Sequence, residues 1–279
     1  MNSIFLSAFF ALAAAVSWGS GDFANGLSSR RIGTFHTVLL SFSIGMVLLI
    51  SAAFMFGEPF PSSADIAWGA VSGLFGMVGI YFLLRGFIVG KMGIVAPVSA
   101  VLATVIPVLF TALTKGLPGT VQSFGFLFAI ASIWMLSRPE HITGRPEGLG
   151  YALLAGTGIG LFFIALDQIQ EHSVLWPLAV GRIACIATLI VFALVKRKPL
   201  IPEKVPVKLV TLAGIFDAGG NLFFLLAIQH GRLDIASVLG NLYPAVTAIL
   251  AVVIAKERMT KLQIVGIVIA VTAIAMVTG

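Results

Sequence analysis

Residues 73–90 read GLFGMVGIYFLLRGFIVG, and residues 214–231, 141 positions later, read GIFDAGGNLFFLLAIQHG. Gly73 matches Gly214, Phe75 matches Phe216, Gly79 matches Gly220, Phe82 matches Phe223 and Gly90 matches Gly231. Each stretch is apolar over about the 20 residues a helix needs to cross a bilayer. The same register runs outward without a gap, pairing Ala14 with Ala155, Gly19 with Gly160, Pro61 with Pro202, Ile94 with Ile235, Lys115 with Lys256, Gln122 with Gln263 and Gly125 with Gly266. A biased composition supplies apolar matches for free, so the weight rests on the Gly, Lys and Gln matches and on Lys91 opposite Arg232. The chain reads as a duplication, with repeats at 1–141 and 142–279.

Composition sets the environment of those repeats. The chain has 279 residues, 59% hydrophobic and 10% charged, and a mean hydropathy of +1.08. A soluble domain carries about 25% charged residues. Apolar runs bounded by charge, Pro or Gly predict ten membrane helices near 3–27, 33–55, 65–89, 94–114 and 119–137, then 149–170, 174–195, 208–229, 234–255 and 262–278. Ten crossings consume about 200 residues and leave no room for a soluble domain. The first run lacks a basic leader and stays apolar from Ile4 to about Leu27, so it reads as a span and not as a signal peptide. The formal charge of +6 falls in short clusters between apolar runs and forms no stripe, which argues against nucleic acid as a partner. Cys185 is the single cysteine and sits within an apolar run, which excludes an intramolecular disulfide.

The basic clusters orient the chain. Odd-numbered loops hold Arg30, Arg31, Lys91, Arg138, Arg145, Lys196, Arg197, Lys198, Lys204, Lys208, Lys256, Arg258 and Lys261, whereas even-numbered loops hold only Lys115 and Arg232. With Arg85 and Arg182 inside spans, these account for all 17 basic residues. Short cytoplasmic loops retain Lys and Arg, so both termini are expected outside. Five spans per copy is an odd number, so the second copy enters the membrane in the opposite sense. The predicted fold is an all-α integral membrane protein of ten transmembrane helices, built as two inverted-topology five-helix repeats. Such repeats give two nearly equivalent packings with a site near the midplane.

Charged groups at membrane depth are costly, about 2.5–3.5 kcal/mol on insertion scales, and so need a partner, water or a task. Asp217 with Gly220 and Asn221 forms one polar stripe on the eighth span and is the first candidate for a substrate site. The same stripe also fits an interhelical node or an ion pair with Arg182. Arg182, mid-span in the seventh helix, could hold a substrate carboxylate or pair with an acid. Trp18, Asp22 and Asn25 share a face of the first span beside Gly19, Gly21 and Gly26, although Asp22 lies toward the cytoplasmic end, where water can reach it. Tyr81 could point into a cavity, and Asn241 and Tyr243 precede Pro244, which loosens the ninth span. Arg85 is expected to snorkel to the headgroups. Asp167, Gln168, Gln170, Glu171 and His172 read as interfacial. His36, His141, His172 and His230 share no metal-ligand spacing, so no metal or other cofactor is expected.

The segments WGSGDFANGL (Trp18–Leu27), GKMGIVAP (Gly90–Pro97), GRLDIASVLGNLYP (Gly231–Pro244) and KERMT (Lys256–Thr260) together resemble the drug/metabolite transporter superfamily, in particular its EamA-type ten-helix members. The resemblance covers the whole chain. It implies a secondary carrier in the bacterial inner membrane, often an exporter of amino acids or related metabolites, with a cavity between the halves. One departure is that the first repeat reads KGL at Lys115–Leu117 where the second reads KER, so the acidic residue of that junction is absent there. The expected partners are a small-molecule substrate, the lipid bilayer and, if the carrier is coupled, protons; a facilitative exchanger or uniporter also fits. Two other classes stay open. An intramembrane enzyme on a lipid-linked substrate would need a catalytic constellation that the sequence does not offer, and a channel fits the off-centre polar residues less well than a carrier does.

Overall fold

A chain this apolar can satisfy its backbone within lipid only by pairing it internally, and helices do so within one segment. The computed structural model describes residues 3–89, 92–137, 148–169, 174–255 and 260–278, and among these every regular element is helical. The elements are α1 (Ser3–Met55), α2 (Ser63–Val89), α3 (Met92–Lys115), α4 (Thr120–Ser137), α5 (Leu149–Leu166), α6 (Leu175–Lys196), α7 (Val207–Gln229), α8 (Leu233–Gly240), α9 (Tyr243–Ala255) and α10 (Lys261–Thr278). Among the described residues, α1, α2, α3, α5, α6 and α7 are long and apolar enough to cross a membrane, and α4, α8 with the start of α9, and α10 carry shorter apolar stretches. The junction at 141/142, Lys91, Arg138, His141, Arg145, the segment 170–173 and most of KERMT lie outside the described residues.

Three elements differ from the predicted spans. The runs expected at 3–27 and 33–55 are two helical arms of α1, but the first continues through the basic connection at Arg30 and Arg31, and the break falls at Gly33 (φ 77, ψ 162). That backbone region is open essentially to glycine alone. The Ser28 and Thr37 hydroxyls meet across the break at 3.1 Å. The run expected at 149–170 ends as a helix at Leu166, after which Gln168 and Ile169 bond three residues back and tighten the chain into a turn. The run expected at 234–255 is split into α8 and α9. Leu242 bonds Leu239, and Pro244 has no N–H to return to the Gly240 carbonyl, so the ladder opens there.

Contacts along α7 give the directions of the two arms of α1. Ser7 Oγ donates to the Ala227 carbonyl at 2.8 Å and Ser17 Oγ to the Phe216 carbonyl at 2.7 Å, so the first arm runs antiparallel to α7. In the second arm, Ser41 faces Gly214 and Gly45 faces Ala218, so that arm runs parallel to it. The chain therefore reverses at Gly33. α2 repeats this arrangement with α5 and α6. Gly76 meets Phe162 and Gly86 meets Tyr151, which is antiparallel, whereas Gly69 meets Pro177 and Gly73 meets Gly181, which is parallel. The contacts exchange in the 141-residue register, since Gly79 against Ile159 corresponds to Gly220 against Trp18.

Corresponding helices run in opposite directions. The second arm of α1 ends where α6 begins, joined by Glu58, and begins where α6 ends, joined by the His36 Nε2 to Pro199 carbonyl contact at 2.9 Å. Likewise α3 ends where α8 begins, joined by Arg232 Nη2 donating to the Gly116 carbonyl at 2.9 Å. On that face Lys115 also pairs with Asp167 at 3.0 Å and Arg232 with Asp234 at 2.8 Å. A buried apolar core that includes Phe163, Phe224, Leu239 and Ile133 joins the two halves.

The Glu58 carboxylate accepts the backbone N–H groups of Val174, Leu175 and Trp176 at 3.0–3.1 Å, and its own carbonyl accepts Trp176 Nε1 at 3.0 Å. These N–H groups at the start of α6 have no partner within the helix, and the anion also complements the helix dipole. Glu58→Ala is expected to cost about 1–2 kcal/mol, read as a lowered thermal midpoint of the purified protein. Glu58→Gln should fall between the two, because one acceptor oxygen survives without the charge.

Candidate functional site

The two halves leave a cavity of about 750 Å³, mouth included, at the middle of the bundle. Trp18, Asp22 and Phe42 reach it from the two arms of α1, and Gly73, Gly76, Ile80 and Leu83 from α2. α5 supplies Ile159, Phe162 and Phe163, α6 supplies Leu178 and Arg182, and α7 supplies Asp217 and Asn221. Asn241 and Tyr243 enter from the break between α8 and α9. Gly73 and Gly76 let α2 pack closely against Gly181 of α6 and Phe162 of α5 beside the cavity.

Arg182 and Asp217 form a direct ion pair, with their side chains only 6% and 17% exposed. The guanidinium carbon also lies 3.9 Å above the Phe42 ring centre. Both charges thus have partners where an isolated one would be costly. Trp18 Nε1 donates to Asn221 Oδ1 at 2.9 Å, and its ring lies 5.6 Å from Phe163 and 5.3 Å from Phe224. Gly220 permits this approach, since a methyl built there would stand 2.4 Å from the indole Cδ1. Asp22 lines the cavity and makes no ion pair among the described residues. Asn241 is 1% exposed, and neither its Nδ2 nor its Oδ1 has a hydrogen-bond partner among the described residues.

The structure brings Trp18, Asp22, Arg182, Asp217, Asn221, Asn241 and Tyr243 to one cavity. Two of the residues singled out from the sequence lie outside its lining. Asn25 is buried closer to the Gly33 break with Oδ1 unpartnered, and Tyr81 turns edge-on to Phe82 at 5.7 Å. The ion pair expected as one fate of Arg182 and Asp217 is present, and both residues line the cavity. Arg85 is exposed and lies outside the cavity lining.

Sequence reasoning missed the apolar wall. A signal for it was present in the repeat, because Ile159 is the counterpart of Trp18, Phe163 of Asp22, Gly76 of Asp217 and Ile80 of Asn221 in the 141-residue register. All four counterparts line the cavity. One member of each pair is polar or carries a polar tip, and its mate is apolar. The duplication has thus been differentiated into a polar wall and an apolar wall.

The family model described as the EamA-like transporter family matches this chain twice, at residues 5–138 and 146–279. A solved crystal structure is similar over 97% of this chain and 95% of its own, with a TM-score of 0.78 and 19% sequence identity. At that identity the likeness speaks for the fold alone. Among curated proteins, none matches the sequence.

Proposed function

The chain belongs to the EamA-like transporter family, and from that premise we propose that it is a secondary carrier exporting a small polar metabolite, an amino acid or a related compound, by alternating access. The family is one of membrane transporters and not of enzymes, and the long apolar helices agree with an integral membrane protein. The observation that carries the proposal is a cavity with one polar wall, open at a mouth, between two halves whose corresponding helices run oppositely.

In this reading the chain crosses the membrane ten times, with α1 contributing two crossings that meet at Gly33 and α8 with α9 forming one broken crossing. The repeats are 1–141 and 142–279. The basic face carrying Arg30, Arg31 and Lys196–Lys198 lies in the cytoplasm of a bacterial cell, so both termini are outside. Asp217, Arg182, Asn221, Asp22, Trp18, Asn241 and Tyr243 contact the substrate, and rocking of one half against the other opens the cavity to each side in turn. Protons are the coupling ion if Asp22 or Asp217 titrates during the cycle.

Counterflow in proteoliposomes against labelled amino acids, with and without an imposed pH gradient, tests this reading. Saturable exchange accelerated by substrate on the far side is expected of a carrier. Flux without exchange acceleration would indicate a channel and overturn alternating access.

A further inference from the structure

We propose that the cavity selects an organic cation, an ammonium carried on a compact apolar body, with no requirement for a carboxylate. This rests on the transport reading and narrows its substrate from amino acids and related compounds to carboxylate-free amines, setting amino acids themselves aside. Among the described residues three acidic or basic side chains line the cavity, Asp22, Arg182 and Asp217, and the last two pair with each other. Arg182 is engaged on its other side by the Phe42 ring. No cation lining the cavity is therefore free to receive an anionic substrate, whereas Asp22 remains as an acid without an ion pair among the described residues. An entering carboxylate would meet a second acid with no cation to compensate it, whereas an ammonium favours the ionised form of Asp22 and gains a counter-ion.

Asn241 supplies an independent observation. Asn241 lines the cavity, and both polar atoms of its side chain are buried without a hydrogen-bond partner among the described residues, an arrangement native proteins rarely leave unfilled. A ligand ammonium has three donors, enough to serve Asp22 and Asn241 Oδ1 together. The remainder of such a ligand meets Ile80, Ile159 and Phe163, the apolar mates of the polar residues opposite. A zwitterion or an anion uses the same apolar wall but finds no counterpart for its negative end.

Calorimetric titration of the purified full-length chain with four probes of one shape distinguishes these cases: 2-phenylethylamine, 2-phenylethanol, 3-phenylpropionate and phenylalanine. The amine is expected to bind tighter than each of the others by about tenfold or more, the scale of one charge-assisted contact. Asp22→Asn is expected to remove most of that preference, so that amine and alcohol bind the variant within about threefold of each other. Equal or tighter binding of phenylalanine or phenylpropionate, or no binding of the amine, would overturn the proposal. The comparison of amine with alcohol on the parent protein decides the matter even if the variant fails to fold. Liposome flux separates this inference from the transport reading. Amine binding without flux would leave the selectivity standing and sink the carrier, and phenylalanine exchange without amine binding would do the reverse.

Discussion

Asp217→Ala is expected to abolish exchange and to destabilise the protein by about 3–5 kcal/mol, the range for stranding one member of a buried ion pair. The cause is Arg182, which lies 6% exposed with Asp217 as its ion-pair partner. Without that carboxylate the guanidinium keeps only the Phe42 ring, which cannot replace a counter-ion in low dielectric. Asp217→Asn should lose transport with a smaller stability penalty, since an amide oxygen can still accept a hydrogen bond. Arg85→Lys, at an exposed position away from the cavity, should transport like the parent at matched membrane abundance. The double variant Arg182→Met with Asp217→Leu separates stability from function, because apolar replacement of both members of a buried pair is often neutral or stabilising. It is expected to regain the thermal midpoint and not the exchange. Recovery of exchange by the double variant, or parental activity of Asp217→Asn, would remove the pair from the mechanism.

The second large effect is expected at Gly73, where α2 and α6 touch backbone to backbone. A methyl built there would stand 2.1 Å from the Gly181 carbonyl oxygen and 2.4 Å from its Cα. Backbone atoms cannot rotate aside, so the helices must separate, and in lipid close helix contact is itself a principal source of association. Gly73→Val is therefore expected to exceed the 1–3 kcal/mol typical of overpacking, read as loss of monodisperse protein after detergent extraction. Gly26 provides the contrast, because nothing lies within 4 Å of a methyl built there. Gly26→Ala should be neutral or stabilise by about 0.5–1 kcal/mol through helix propensity. Similar behaviour of Gly73→Val and Gly26→Ala would refute the close packing.

The duplication and its opposite orientation were legible because they are written in one-dimensional signals. Gly, Lys and Gln recur at a fixed offset, and the basic residues fall almost entirely in alternate loops. The same offset placed Gly73 opposite Gly214, and both prove to be close-contact positions, the latter against the Ser41 carbonyl. The helix ends were less legible. Nothing local to Arg30 and Arg31 says that the helix continues to Gly33, and Pro244 signalled a weak ladder without saying that α8 would end at Gly240.

Most of the polar wall was also readable, since the cost of burying Asp217, Arg182 or Asp22 marks each of them out without any structure. Tertiary structure alone decided which of them meet. It turned Arg182 onto Asp217 and Phe42, left Asp22 without an ion pair among the described residues, and turned Tyr81 and Asn25 away from the cavity. It also chose Phe162, Phe163 and Leu178 from a chain that is 59% hydrophobic. The sequence by itself thus determined the environment, the repeat and the set of costly side chains, because hydropathy, charge and period are additive along the chain. Who pairs with whom, and which apolar residues face the cavity instead of lipid, depends on helix rotation and contact across the two halves. Those are set only when glycine-lined helices pack against one another in three dimensions.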